Sequence, residues 1–266
     1  FCSMPRIKLT LEYEGTAYAG WQVQANGLGV QEVVESALSQ LLGSSVRLHS
    51  ASRTDAGVHA AGMVAHFDTD RDLQLGAYRE GLNRFLPQDV SIRHVEVAGE
   101  GFHSRFSNSG KWYRYSVYLA PVRSPLYART SWLFKKTLDI PLMRDAAQHF
   151  LGCHDFSAFR ASGCTAKTTR KEITSVELVE QAPLLLFDVK GSGFLRNMVR
   201  IMVGTLLEVG MHQKSPGDIK FLLNSGDRLS AGRTAPAHGL CLMEIDYQEG
   251  YSRLGTELHG ACVKKS

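Results

Sequence analysis

The spacing of hydrophobic residues changes several times along the first hundred positions. Residues 6–15 place apolar side chains at every second position from Ile7 to Tyr13, as in a strand with one buried face. Residues 30–42 place them three and four apart, as on one face of a helix, and Gly43 follows as the expected stop. Similar patterns predict strands at 46–52, 63–68 and 89–97 and a helix at 74–86. The order is β-α-β-β-α-β, which is the ferredoxin-like unit.

The second half of the chain repeats this order. The patterns predict a strand at 111–119, a helix opened by Asp139, strands at 173–180 and 184–191, a long helix at 194–209, a short helix beginning at Ser215, and a last strand at 239–247. We therefore predict an α+β protein in which two ferredoxin-like units, each with its own sheet, lie side by side with a cleft between them. The expected domains are residues 4–107 and 108–248, followed by a tail at 249–266.

Composition narrows the class of protein. The chain has 266 residues, 44% of them hydrophobic, which is enough to fill a substantial core. No apolar run approaches the roughly 18 residues that a membrane-spanning helix needs. The start lacks the apolar segment of a signal peptide, and Met4 has the character of a natural start, with residues 1–3 as a remnant. We expect a cytoplasmic protein without membrane contact.

The cysteines and histidines argue against a metal centre. Five scattered cysteines show no CxxC spacing, which favours reduced thiols over disulfides or zinc. His59 and His66 lie near Asp68 and Asp70, but these four residues form no recognisable ligand set. We expect no metal.

Charge is informative through its placement. A net charge of +4 is only mildly basic. However, basic residues gather with aromatic residues at 110–115 and 133–137, and a further basic run lies at 164–172, and this mixture suits phosphates and exposed bases. Solvated surface charge explains each run equally well on its own. The residues that we expect to contact phosphate are Lys111, Arg114, Lys167, Arg170 and Lys171.

One loop carries candidate chemistry. The stretch SASRTDAGVHAAG, residues 50–62, surrounds an Ala-Gly pair with Arg53, Asp55 and His59. A carboxylate such as that of Asp55 can attack carbon or accept a proton, and the small residues after it allow a ligand to approach closely. The alternative is that Asp55 only caps a turn, as aspartate often does.

Five segments together resemble the TruA-type tRNA pseudouridine synthases. RTDAGVH at 53–59 resembles the family's active-site motif, and four more segments match in order: GTAYAGWQ at 15–22, KWYRY at 111–115, GFLRNMVRIMVG at 193–204 and TAPAHGL at 234–240. The resemblance extends to about residue 249. It implies the pseudouridine synthase fold and an isomerase that converts uridine to pseudouridine at positions 38, 39 and 40 of the tRNA anticodon stem-loop. It also implies a homodimer and no cofactor.

The resemblance assigns roles by motif position. It implies that Asp55 is the catalytic aspartate, Arg200 the basic residue paired with it, Tyr113 the ring that stacks on the target base, Leu240 the apolar residue on the other side of that base, and Arg53 the residue that assists base flipping. It assigns no role to Arg196 or Asn197.

The residues by themselves leave alternatives open. Arg200 lies among apolar neighbours on a helix, where a buried guanidinium needs a carboxylate partner, but it could also reach water at the helix edge. Tyr113 and Leu240 are residue types that more often fill a core. Arg53 could be an ordinary surface arginine.

Other function classes fit less well. An aspartic protease needs two paired aspartate loops, and TDAG occurs once. A glycosidase usually needs a second carboxylate, and none stands out. The strongest rival is a non-enzymatic RNA-binding protein built from two ferredoxin-like units, for which the basic and aromatic runs would be sufficient.

Overall fold

The structure is a computed structural model that describes residues 4–25, 27–164 and 166–248. The predicted tail and the first three residues lie outside the described residues. Within the described ranges, no helix has both the length and the apolar character needed to cross a membrane.

The first unit follows the predicted element order. Apolar residues of its first strand, among them Leu9 and Leu11, are fully buried as the alternation requires. Its elements are β1 (Arg6–Tyr13), α1 (Val30–Leu42), β2 (His49–Ser50), β3 (His59–Asp68), α2 (Leu75–Phe85) and β4 (Val90–Val97). The largest differences from the prediction are in β2, which has only two residues, and in β3, which begins four residues earlier than expected.

The second unit repeats the arrangement with two additional strands. Its elements are β5 (Asn108–Leu119), β6 (Trp132–Phe134), α3 (Ile140–Gln148), β7 (Gly152–Asp155), β8 (Arg170–Gln181), β9 (Leu184–Gly191), α4 (Met198–Gly210), α5 (Pro216–Ser225) and β10 (Leu240–Tyr247). Strands β6 and β7 were not predicted, because segments of three and four residues are too short to show a period. Helix α4 begins later than predicted, since Asn197 before it is left-handed at φ 60°.

The two units share one ten-stranded sheet in the order β4-β1-β3-β10-β5-β9-β8-β7, with β2 beside β3 and β6 beside β5. Parallel pairing of β10 with the start of β3, where Cys241 lies opposite His59, joins the units. This confirms the α+β class and the two ferredoxin-like units side by side. It also corrects the expectation of two separate sheets. The join brings the loop before β3 next to the start of β10.

Helix α4 lies close to the segment that leads into β10. Eleven of its thirteen residues are buried. A methyl group on Gly204 would lie 1.8 Å from the Arg233 carbonyl oxygen, so only glycine allows this approach. The Ala235 amide then donates to the Arg200 carbonyl at 3.1 Å. This contact fixes the first turn of α4 against the start of β10.

Candidate active site

A cleft of about 1290 Å³ lies between the two units and is lined by residues of both. It contains most of the residues singled out by sequence: Arg53, Asp55, Lys111, Tyr113, Lys167, Arg200 and Leu240. Arg170 lies outside this lining, exposed at the start of β8, where its Nη2 is 3.9 Å from the Cys153 Sγ. The motif residues of distant segments therefore meet at one place.

The loop that carries Asp55 is held firmly by the first unit. The Trp21 amide donates to the Thr54 carbonyl at 3.1 Å, and the Thr54 hydroxyl lies 2.8 Å from the Tyr13 hydroxyl. Gly20 bridges to Asp55 with φ at 107°, and a methyl group there would lie 2.6 Å from the Thr54 oxygen. Glycine is required at this position for both reasons. The segment at 15–22 thus supports the backbone of the Asp55 loop.

Two side chains of β5 hold the same loop from the second unit. The Lys111 ammonium donates to the Ala51 carbonyl and to the Ser52 hydroxyl, each at 3.2 Å. The Tyr113 hydroxyl lies 3.2 Å from the same Ser52 oxygen. Burial lowers the pKa of Lys111 to about 8, with a smaller contribution from nearby positive charge. Lys111 is therefore turned inward as a loop anchor, where we had expected a phosphate contact.

The cation beside Asp55 is not the expected one. Among the described residues, the ion pair of Asp55 is with Arg196, whose Nε lies 3.6 Å from the Asp55 Oδ1. Arg200 instead donates from Nε to the Ala235 carbonyl at 2.7 Å and from Nη1 to the Asn197 side-chain oxygen at 2.8 Å. Burial lowers the pKa of Arg200, and the charge of Asp55 acts in the opposite direction. Arg200 thus interacts with Asp55 electrostatically but does not form the direct ion pair that the resemblance implies.

The backbone conformation at the start of α4 explains why Arg196, and not Arg200, forms the ion pair with Asp55. Asn197 adopts the left-handed conformation, and this turn presents Arg196 toward the cleft just before the helix begins. Arg200 lies one turn later and is fixed inside the fold. The resemblance assigned no role to Arg196 or Asn197. The only available signal was an asparagine at a helix start, because asparagine tolerates positive φ.

Beside Asp55, the cleft has an apolar slot. Tyr113 is 7% exposed and Leu240 is 6% exposed. The two lie diagonally on adjacent strands, since Tyr113 is opposite Leu242 and Leu240 is opposite Tyr115. The Phe194 ring meets Tyr113 edge-on, with centroids 5.0 Å apart. Burial raises the pKa of Tyr113 to about 12, so its hydroxyl remains protonated at neutral pH.

The predicted phosphate contacts differ in their surroundings. Arg53 and Lys167 are exposed and line the cleft. Arg114 makes a two-pronged pair with Asp188, with both nitrogen–oxygen distances at 2.8 Å. Arg114 thus has a carboxylate partner within the fold, which the clustering of charges in the sequence did not reveal.

The side chain of His59, the histidine of the motif, forms hydrogen bonds with backbone groups. The His59 Nδ1 accepts from the Gly15 amide at 2.9 Å, and its Nε2 lies 3.0 Å from the His238 carbonyl oxygen. The Nδ1 contact therefore lies within the first unit, and the Nε2 contact joins that unit to the second. In the described part of the chain, no group of three or more His, Cys, Asp or Glu residues is placed to hold a metal ion.

Comparison with known proteins identifies the family of the chain. The family model described as tRNA pseudouridine synthase matches residues 10–107 and 146–248. Among solved structures, a chain of a Cbf5-Nop10-Gar1 complex is distantly similar, with a TM-score of 0.38 and 11% sequence identity. The match covers 89% of this chain and 48% of that chain, and nothing is inferred from so weak a similarity.

Relatives from bacteria are much closer. A protein named tRNA pseudouridine synthase A from Syntrophotalea carbinolica is 54% identical over 244 residues, which are 92% of this chain and 97% of that protein. Proteins of the same name from Pelobacter propionicus and Myxococcus xanthus are 54% and 49% identical, covering 92% and 93% of this chain and 100% and 94% of their own lengths. The resemblance seen in the sequence motifs is confirmed, and the chain belongs to the tRNA pseudouridine synthase family.

Proposed function

We propose that this enzyme converts uridine to pseudouridine at positions 38, 39 and 40 of the tRNA anticodon stem-loop, with Asp55 as the catalytic carboxylate. One observation carries the proposal. The Asp55 carboxylate lines the cleft between the units on a loop that both units hold, beside a slot formed by Tyr113 and Leu240. The relatives named tRNA pseudouridine synthase A support tRNA as the substrate.

The reaction moves atoms without gaining or losing any. The bond from N1 of uracil to the ribose C1′ breaks, the base turns in place, and C5 bonds to C1′. The proton on C5 leaves and N1 gains one. A carboxylate suits this chemistry because it can attack carbon or accept a proton. The Arg196 guanidinium beside Asp55 attracts and orients that carboxylate.

The slot beside Asp55 fits a flat base. In the proposal, the uracil lies against Tyr113 with Leu240 nearby, because aromatic and apolar side chains hold flipped bases by stacking. The hydrogen bond between the Tyr113 and Ser52 hydroxyls ties this ring to the Asp55 loop. Base and carboxylate would therefore keep a fixed relative position while the bond at C1′ breaks.

Two exposed cations at the cleft would act on the rest of the RNA. Arg53 is two residues before Asp55 and lines the cleft, and in the proposal its guanidinium fills the space that a flipped base leaves in a stem. Lys167 faces the same cleft from the second unit and would bind phosphate. Arg170 and Lys171 extend this basic surface in the proposal.

We further infer that the enzyme works in the cytoplasm as a homodimer, with one tRNA reaching across both subunits. Light scattering of the free protein and of its tRNA complex tests the assembly. A monomer in both measurements would remove the dimer from the proposal and leave the chemistry of Asp55 untouched.

The decisive experiment measures tritium release from tRNA transcripts that carry tritium at C5 of uridine. Pseudouridine formation must expel this hydrogen, whereas RNA binding alone does not. We expect release by the wild type and none by Asp55→Asn, with RNA affinity of the variant within about a factor of ten. Turnover by a variant whose mass excludes deamidation back to aspartate would overturn the role of Asp55.

A further inference from the structure

A second group of flat side chains lies at the edge of the cleft, outside the slot beside Asp55. We call His103, Arg105 and Phe106 the rim shelf, and all three line the cleft. Phe106 is 77% exposed. Its ring centroid lies 4.4 Å from that of His103, and the Arg105 guanidinium lies 5.9 Å from the Phe106 centroid. The shelf therefore combines an exposed ring with an adjacent positive charge.

The shelf is supported from behind. The His103 ring lies 4.7 Å from the ring of His66, which is buried. His66 Nδ1 lies 2.9 Å from the Ser104 hydroxyl, and this hydroxyl donates to the His49 carbonyl at 2.7 Å. The His103 amide donates to the Ser107 hydroxyl at 2.9 Å. The turn that carries Phe106 is thus fixed before any ligand arrives, which lowers the ordering cost of binding.

The size of the cleft leaves room for more than the target base. Its volume of about 1290 Å³ exceeds the range of roughly 300 to 1,000 Å³ that is typical of pockets for one small ligand. A large apolar ring exposed at such an edge, beside an arginine, has the chemistry that proteins use for unpaired nucleotides. The ring stacks on the base and the cation meets the phosphate.

We propose that the rim shelf is a second nucleotide site, which stacks one unpaired base of the RNA substrate on Phe106 and holds the neighbouring phosphate with Arg105. The inference rests on the proposed function, because it assumes an RNA substrate in this cleft. It adds a requirement for an unpaired base at a fixed distance from the target uridine.

Binding measurements on three variants test the shelf. We expect Phe106→Ala to weaken binding of the stem-loop roughly tenfold, which is within the range known for one base–aromatic stack. Phe106→Trp should restore affinity to within about threefold of wild type. The matched control is Phe221→Ala, since Phe221 on α5 is 61% exposed and lies outside the cleft lining. This control should bind as the wild type does.

A series of RNAs, each with one abasic position near the target, locates the stacked base. We expect one position at which removal of the base weakens wild-type binding but does not weaken Phe106→Ala binding further. Arg105→Gln should reduce the slope of log affinity against log salt by about one. The shelf is refuted if Phe106→Ala matches Phe221→Ala, or if Phe106→Ala weakens every abasic RNA by the same factor as the intact RNA.

This test is separate from that of the proposed function. If the wild type releases no tritium from tRNA, the proposed function fails, while the affinities still decide whether the shelf binds a base. If the wild type is active and Phe106→Ala binds as Phe221→Ala does, the shelf fails and the function stands.

Discussion

The half-buried side chain of Lys111 gives the most quantitative test of how the Asp55 loop is held. Its pKa is about 8 in the folded protein against 10.5 ordinarily. Below pH 8 both folded and unfolded chains carry the proton, and the folded chain bears the full cost of burying it. Between pH 8 and 10.5 the folded chain loses the proton while the unfolded chain keeps it, so the stability of the wild type rises with pH.

The difference of about 2.5 pKa units corresponds to about 3 kcal/mol, at 1.36 kcal/mol per unit. Lys111 is only half-buried, so solvent screening reduces this figure and we expect about 2 kcal/mol. Lys111→Met removes the titrating group. Relative to this variant, the free energy of unfolding of the wild type should therefore increase by about 2 kcal/mol from pH 7.5 to pH 10.5.

Urea unfolding of both proteins at half-unit pH steps measures this difference directly. Comparison with the variant cancels the groups that titrate equally in both proteins. Lys220→Met is the control, because Lys220 is exposed on α5, and its difference from the wild type should stay flat. A Lys111→Met difference that is constant or that changes in the opposite sense would show that the ammonium is not buried as described.

Three further predictions follow from the same contacts. Arg196→Met should slow single-turnover tritium release about fivefold and leave urea stability within about 0.5 kcal/mol. Arg200→Met should slow release as well and also cost about 2 kcal/mol of stability, since the buried carbonyl of Ala235 and the half-buried side-chain oxygen of Asn197 lose a charged donor. Arg53→Ala should slow release from a paired target more than from one whose opposing base is removed, because only the first needs unstacking. Burial lowers the pKa of His66 to about 4 from 6.5, so on acidification the unfolded chain binds the proton before the folded chain does. The free energy of unfolding of the wild type in urea should therefore fall by about 3 kcal/mol between pH 6.5 and 4, and this loss should be absent in His66→Gln.

Local patterns explain which parts of the fold could be predicted. Helix α1 matches its expected bounds and strand β1 begins where expected, because one buried face leaves a period in the sequence. The pairing of β3 with β10 left no such trace, because it involves only two residue pairs, Cys241 with His59 and Leu242 with Ala60, which are far apart in the sequence. The sequence therefore predicted two sheets where the protein has one.

The candidate site could likewise be predicted only in part from the sequence. Sequence motifs identified Asp55, Tyr113 and Leu240, and the fold brings them into one cleft, although their catalytic roles stay predictions. Charge clustering misjudged Lys111 and Arg114, because a run of basic residues does not show which side chains point inward. Lys111 donates to the backbone of the Asp55 loop and Arg114 donates to Asp188, and both contacts form only in the folded chain.

The contacts around Asp55 hold its backbone tightly and its side chain only loosely. Tyr13, Trp21 and Lys111 hold the loop through hydrogen bonds of 2.8 to 3.2 Å. The carboxylate itself meets Arg196 at 3.6 Å, and the Arg196 side chain is half exposed. A fixed backbone places the carboxylate with little loss of entropy when substrate binds. A long, solvent-screened ion pair is weak enough for a ribose or a base to displace, which a buried pair with Arg200 would not allow.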